Sequence, residues 1–299
     1  MDQPTENSRS TQRDHGPTAH FLTGLVGDGI MASRSPWLHE READAHGVRL
    51  VYFLYDLAGS GASDIPLAAL LEAAKLTGFA GLNVTHPYKQ RVMRFLDELS
   101  DEARRIGAVN TIAIKDGRTK GYNTDYLGFA EGLRRGLAGV GFANVLQLGA
   151  GGAGAATAHA LLEHGTRQLQ IYDVRADRAD ALVASLCSVF GAGRAQVVVD
   201  LKTALLHVDG VVNATPVGMV GHAGMPLPAE SLRPSQWIAD IVYFPLETEL
   251  LNSARKLGCR TLDGVAMVVF QAAAAFEIFT GLVADRERML ADAINHWST

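Results

Sequence analysis

Cysteine is nearly missing from this chain. Among its 299 residues only Cys187 and Cys259 are present, far apart in sequence, which predicts no disulfide framework. That scarcity fits a reducing compartment, and a cytoplasmic location is expected. The ten histidines form no closely spaced set with cysteine, so no metal site is expected. Basic charge is not in excess either. A formal net charge of -5 argues against a dedicated nucleic-acid binder, whose footprint is usually basic. No apolar stretch avoids glycine and charge long enough to span a bilayer, and nothing resembles a signal peptide, so no membrane partner is expected. Internal repeats are missing too. Residues 1–20 are polar, with Pro4 and Pro17 among many Ser, Thr and Asp residues, and read as a disordered leader.

What remains has the balance of a globular α/β protein. Apolar residues make up 47% and charged residues 20%, and the length allows two domains with a core each. Strands are expected from Phe21 to Gly27, Val51 to Asp56 (before the loop Gly59-Ser60-Gly61), and Gly81 to Thr85. A helix runs from Leu67 to Leu76 and ends before Gly78. Further along, a strand at Val145 to Leu148 meets a glycine turn, an alanine-rich helix from Ala155 to Glu163, and a strand at Gln168 to Tyr172. More strands are expected at 197–199, 211–213 and 237–242, and a helix starting in the run Gln271 to Phe276. This alternation predicts parallel sheets covered by helices. The boundary between domains falls near residues 126–140, and the chain re-enters the first domain near 265.

Gly149-Ala150-Gly151-Gly152-Ala153-Gly154 fits G-x-G-x-x-G between a strand and a helix, the setting that a dinucleotide fingerprint demands. Gly149 allows the tight turn, Gly151 lets the backbone approach a pyrophosphate, and Gly154 lets the helix pack on the sheet. Asp173 ends the next strand, 24 residues after Gly149. An acid there accepts from the adenosine ribose and repels a 2′-phosphate, so NAD is the expected cofactor. Arg175 and Arg178 leave NADP as the less favoured alternative, because arginines nearby can hold that phosphate.

Four upstream segments combine polar side chains with strand or turn settings: Ser33-Arg34-Ser35-Pro36, Asn83 to Lys89, Gly107 to Thr111 and Gly121 to Asp125. Two serines one residue apart can offer two hydroxyls to one carboxylate. Asn83, Thr85 and Asn110 suit ring hydroxyls, and Lys89 with Asp125 is the charged pair available for proton transfer. Plainer readings stand beside these. Ser35 before Pro36 could simply start a helix, Asp125 could cap one, and Lys89 could be a surface lysine. Asn110 and Asn123 could satisfy turn backbones, and His39, His46 and His86 could pack or face solvent.

Taken together, the segments resemble the shikimate dehydrogenase family, including its NAD-dependent quinate/shikimate branch, from about Leu22 to the C-terminal helix. Gly81-Leu82-Asn83-Val84-Thr85-His86-Pro87-Tyr88-Lys89 is similar to that family's G-x-N-V-T-x-P-x-K signature, and Gly107 to Thr111 and Asn123-Thr124-Asp125 repeat its A-V-N-T and N-T-D elements. Asn213 to Met219 looks like its loop behind the nicotinamide, and Asp240 to Tyr243 and Gly264 to Gln271 resemble its later segments. The resemblance implies an N-terminal α/β substrate-binding domain at 21–127 and a Rossmann-type NAD-binding domain at 128–264. It implies C-terminal helices at 265–299 that pack back on the first. It makes Lys89 and Asp125 the catalytic dyad, and Ser33, Ser35, Asn83, Thr85, Asn110, Tyr243 and Gln271 the substrate contacts. Gly149, Gly151, Gly152, Ala153, Gly154, Asp173, Arg175, Thr215 and Gly264 would meet the cofactor.

The activity implied is reversible oxidation of shikimate to 3-dehydroshikimate by a monomer or homodimer, with quinate as a second substrate. The family's NADP users usually carry Asn-Arg-Thr/Ser where this chain has Asp173-Val174-Arg175, which agrees with NAD. Its quinate oxidisers often have threonine where this chain has Ser35, which puts strong quinate use in doubt. An aminoshikimate dehydrogenase would carry the same segments. A non-catalytic dinucleotide-binding sensor would share the fold but has no need of Lys89 and Asp125.

Overall fold

The computed structural model describes residues 19–58 and 65–297. The expected leader, except for its last two residues, and the loop Gly59-Ser60-Gly61 lie outside the described residues. Among these there are two six-stranded sheets. The first contains β1 (His20–Gly27), β2 (Arg49–Asp56), β3 (Gly81–Val84), β4 (Glu98–Leu99), β5 (Thr111–Lys115) and β6 (Arg118–Tyr122), in the order β2-β1-β3-β5-β6-β4. Helices α1 (Ser35–Ala45), α2 (Ile65–Leu76), α3 (Asp101–Ile106) and α4 (Thr124–Gly136) accompany it.

This sheet is mixed rather than wholly parallel as expected. β1 pairs in parallel with β2 and β3, whereas β5 runs antiparallel to both β3 and β6. The β5–β6 pairing follows from a two-residue turn, Asp116-Gly117, with φ of 51° and 72°. Positive φ at both central residues makes a turn whose twist matches that of the flanking strands, and Asp-Gly is a preferred pair for it.

The second sheet contains β7 (Asn144–Leu148), β8 (Gln168–Tyr172), β9 (Ala195–Val197), β10 (Gly210–Asn213), β11 (Trp237–Asp240) and β12 (Arg260–Leu262). Its order is β12-β11-β10-β7-β8-β9, and every pairing is parallel. Its central strands are near-continuous apolar runs because helices cover both faces. Helices α5 (Gly152–Glu163), α6 (Ala176–Phe190), α7 (Leu201–Leu205) and α8 (Glu249–Lys256) supply the cover. From β7 the chain runs outward to β8 and β9, then returns to β10 on the other side. The crevice beyond the carboxyl ends of β7 and β10 is therefore the topological switch point, where ligands bind in such sheets.

Several element ends differ from expectation. β9 stops at Val197 and leaves Val199 90% exposed. β11 stops at Asp240, whose carboxylate accepts from the Val242 N–H that a longer strand would have used. α5 starts at Gly152, inside the glycine turn.

The last two helices are α9 (Val265–Thr280) and α10 (Arg286–Trp297), and α9 starts six residues before the alanine-rich run. α9 lies along α4 at close range. A Cβ at Gly128 would fall 2.4 Å from the Met267 carbonyl oxygen and 2.9 Å from the Gln271 nitrogen, so glycine is what lets the two helices meet. Through α9 and α10 the chain returns to the first sheet, where Phe270, Phe276 and Met289 share a core with Leu25 and Leu38. Fully burying each such side chain contributes about 1.5–3 kcal/mol. A separate core joins Leu133 of α4 and Leu137 at its C-terminal cap to Ala156 of α5 and Ile171 of β8.

Candidate active site

Lys89 lies on the turn after β3, and Asp125 lies in the first turn of α4. Lys89 Nζ donates to Asp125 Oδ2 at 2.6 Å, with side chains 16% and 10% exposed. The Asn123 side chain caps α4 by accepting from the Tyr126 N–H, so Asp125 sits where free helix amides favour negative charge. The plainer reading of Asn123 therefore holds, whereas Lys89 is not a free surface lysine.

Around this pair Tyr52, Asn83, Asn110, Thr111, Thr124 and Gln271 form one connected network. Asn83 Nδ2 donates to the Asn110 carbonyl at 3.2 Å and to Thr111 Oγ1 at 3.0 Å. Asn83 Oδ1 accepts from the Tyr52 hydroxyl at 2.8 Å. Asn110 Nδ2 donates to Thr124 Oγ1 at 2.9 Å, and Thr124 Oγ1 lies 3.4 Å from Gln271 Oε1. The Ser33 and Ser35 hydroxyls are 3.2 Å apart. Burial raises the Tyr52 phenol far above its usual value, so it stays a neutral donor. Burial likewise raises the Tyr243 phenol, the Arg34 guanidinium opposing that shift and the Asp125 carboxylate adding to it; its ring lies 6.2 Å from that of Trp297. Among the described residues, Thr85 contributes no side-chain hydrogen bond to this network. Its N–H donates to the Val26 carbonyl at 2.9 Å, and its methyl faces Gly27, where a Cβ would fall 2.3 Å away.

Ser35 is the first residue of α1 with proline at the helix start, and Arg34 takes the N-cap position without a side-chain cap bond. Ser35 thus opens the helix without capping it, unlike the plainer reading in which it is the cap, and its hydroxyl stays beside Ser33.

The glycine turn fits a dinucleotide. Gly149 has φ of +101°, and a Cβ there would fall 2.7 Å from the Ala214 carbonyl oxygen and 3.1 Å from Thr215 Cγ2. A Cβ at Gly154 would fall 2.4 Å from the Gly149 oxygen, so this glycine closes the turn on itself. Gly151 differs. A Cβ there meets nothing within 4 Å, which leaves open the face where a pyrophosphate would meet the Ala153 and Gly154 end of α5. Asp173 Oδ2 accepts from the Ala150 N–H at 2.7 Å and Oδ1 from the Arg175 N–H at 2.9 Å, tying β8 to the turn. The Arg175 guanidinium turns to Asp177. Thr215 Oγ1 donates to Asn213 Oδ1 at 2.6 Å, and a Cβ at Gly264 would fall 2.4 Å from the Ile241 oxygen.

One contact joins the two halves of the site. A Cβ at Gly152 would lie 3.4 Å from Lys89 Cβ and Cδ, so the glycine turn runs beside the lysine stem.

Five residues that support this arrangement were not singled out from sequence. Tyr52 hides in an aromatic strand that reads as core. Gln147 is a buried amide in an apolar strand, and its Nε2 donates to the Gly149 and Gly154 carbonyls at 2.9 and 2.8 Å. An amide just before a glycine turn is the signal that marks it. Thr124 lies inside the quoted Asn-Thr-Asp segment. Asn213 and Asp240 pair in register at the carboxyl ends of β10 and β11, with Asn213 Nδ2 to Asp240 Oδ1 at 2.9 Å. Burial raises the Asp240 carboxyl, and its bonds from Thr248, Val242 and Asn213 oppose that shift. No group of three or more metal-ligating side chains occurs among the described residues.

Comparison with known proteins agrees with this geometry. A model for the shikimate dehydrogenase substrate binding domain matches residues 25–112, and one for the shikimate 5'-dehydrogenase C-terminal domain matches residues 264–291. The chain is 51% identical to a shikimate dehydrogenase (NADP(+)) of Streptomyces avermitilis, over 91% of this chain and 94% of that protein. It is 48% identical to a quinate/shikimate dehydrogenase (NAD(+)) of Corynebacterium efficiens, over 91% of this chain and 96% of that one. Its fold is similar to the quinate dehydrogenase from Corynebacterium glutamicum in complex with NAD, with a TM-score of 0.86 at 45% identity, covering 92% of this chain and 99% of that chain.

Proposed function

The chain belongs to the shikimate dehydrogenase family, and from that premise we propose that it oxidises shikimate reversibly to 3-dehydroshikimate with NAD, quinate being a weaker second substrate. We assign ring-acid binding to residues 21–127 together with 265–299, and nucleotide binding to 128–264. The enzyme acts in the cytosol as a monomer or homodimer. No helix among the described residues is long and apolar enough to cross a membrane, and both cysteines are free.

The observation that carries this reading is the Lys89–Asp125 pair, set between the Asn83–Asn110 network and the glycine turn. The bound nicotinamide supplies the hydride acceptor and donor. In the reducing direction the Lys89 ammonium, held by Asp125, donates a proton to the ketone oxygen as the carbon gains hydride. Oxidation reverses both transfers, with Lys89 taking the hydroxyl proton. Ser33 and Ser35 hold the carboxylate, while Asn83, Thr85, Asn110 and Gln271 orient the ring hydroxyls. Tyr243 and Gly264 line the junction of the two ligands. The NAD preference rests on Asp173, whose carboxylate sits at the end of β8 beside the turn and repels a 2′-phosphate.

Replacing Lys89 by alanine is expected to cut turnover by roughly 10²–10⁴-fold while NAD still binds. Steady-state rates together with a cofactor titration check this. A Lys89→Ala enzyme that turns over like wild type would remove the lysine from the chemistry.

A further inference from the structure

The cofactor signals in the sequence conflict, because Asp173 favours a free ribose and Arg175, two residues on, suits a 2′-phosphate. Side-chain geometry resolves the conflict. The Arg175 N–H donates to Asp173 Oδ1 at 2.9 Å, which fixes this residue beside the ribose-reading acid. Its guanidinium is committed elsewhere. Arg175 Nη2 lies 2.7 Å from Asp177 Oδ2 and Nε 3.2 Å from Asp177 Oδ1, a two-point pairing of fork and carboxylate.

Asp177 is itself well placed to stay charged. It lies in the first turn of α6, where the helix dipole favours a carboxylate. The Arg175 side chain, first among its partners, holds the Asp177 carboxyl below its usual range, and backbone amides at the helix start act in the same direction.

Resting on the NAD reading above, we propose that Asp177 is a cofactor-specificity residue, one that occupies the Arg175 guanidinium and so denies a 2′-phosphate its cation. With Asp177 present, Asp173, Arg175, Asp177 and Arg178 carry two negative charges against two positive, and the Arg175 charge is already paired. A phosphate would have to displace that paired carboxylate. With Asp177 removed, positive charge is in excess and the Arg175 guanidinium is released at the ribose end of the site. The pair is exposed, with side chains 58% and 66% accessible, so its effect is on ligand choice rather than folding, and it is modest in size.

The test is calorimetric titration of the substrate-free protein with 2′-AMP and 5′-AMP, alongside the NADP-to-NAD ratio of kcat/KM. Asp177→Ala is expected to tighten 2′-AMP by about 1.5- to 5-fold relative to 5′-AMP and to raise the ratio by a similar factor. Asp177→Asn, which keeps the size and a polar group at the helix start, is expected to change both in the same direction. In the Arg175→Ala/Asp177→Ala double variant the gain should fall back to the level of Arg175→Ala alone. No gain in either single variant, or a gain that persists without Arg175, overturns the proposal. Wild-type protein that prefers NADP overturns the NAD reading instead. That result comes from wild type alone, whereas the role of Asp177 is read from the change between variants.

Discussion

On the proposed reading Ser35 holds the ring acid's carboxylate, and its hydroxyl lies 3.2 Å from that of Ser33. Quinate carries an added hydroxyl on the carbon that bears the carboxylate, so residues gripping that carboxylate are best placed to tell the two acids apart. A single methyl in such a pocket shifts selectivity by roughly 1–3 kcal/mol, or 10-fold and more. Ser35→Thr is therefore expected to raise the quinate-to-shikimate ratio of kcat/KM, measured at subsaturating concentrations of each acid. An unchanged ratio would show that discrimination lies elsewhere. Residues of this kind were legible because their types are costly without a purpose: a lysine, an aspartate and paired serines in turn and strand settings. Tyr52 was not legible. Its ring reads as core in a run of Val51, Tyr52 and Phe53, and only the fold shows its hydroxyl reaching Asn83. Arg175 was legible as a charge near the ribose but not in its pairing, which depends on the rotamer that Asp177 selects.

Among the elements, the glycine turn makes the sharpest demand on its residues, and its glycines do different things. At Gly154 an added methyl would press within 2.4 Å of the Gly149 oxygen, so the strand–turn–helix unit itself must shift. At Gly151 the same methyl meets no protein atom within 4 Å. Gly154→Ala is thus expected to lower the melting temperature and weaken NAD together. Gly151→Ala should melt like wild type yet bind NAD at least about 10-fold more weakly, because its methyl fills the space that the pyrophosphate needs. Thermal melts and a cofactor titration separate the two; wild-type affinity in Gly151→Ala would place the pyrophosphate elsewhere. This turn could be read from sequence because motif, strand and helix agree locally. The β5–β6 hairpin was missed even though Asp116-Gly117 is a strong turn signal, because the apolar residues on either side are too few to outline strands. Element ends drifted where side chains intervene, as at Asp240, which takes the Val242 N–H out of the sheet.

At the scale of the whole molecule, the first sheet and the α4–α9 contact bring Asn83, Asn110, Thr124 and Gln271 into one network, and that convergence was implied by the family resemblance rather than by periodicity. The cores behind this network carry a pH liability. His39 is fully buried and stacks on Tyr52 at 4.7 Å, neither ring nitrogen has a hydrogen-bond partner, and burial lowers its pKa to about 3. In the unfolded chain the same ring titrates near 6.5, so the unfolded state takes up the proton first as pH falls. Its contribution to stability is complete above about 6.5 and declines toward 3, by about 2 kcal/mol between pH 7 and 5. Burial also lowers His159, to about 4, and so acts in the same direction. His39→Leu is expected to unfold with a shallower pH dependence over that interval, followed by urea denaturation; an unchanged slope would contradict the burial argument. The account as a whole turns on the reaction, and one panel decides it: purified protein with NAD or NADP against shikimate, quinate and aminoshikimate, followed at the absorbance of the reduced cofactor. The expected result is reduction of NAD with shikimate as the most efficient pair. No reduction of either nucleotide by any of the three acids would contradict it.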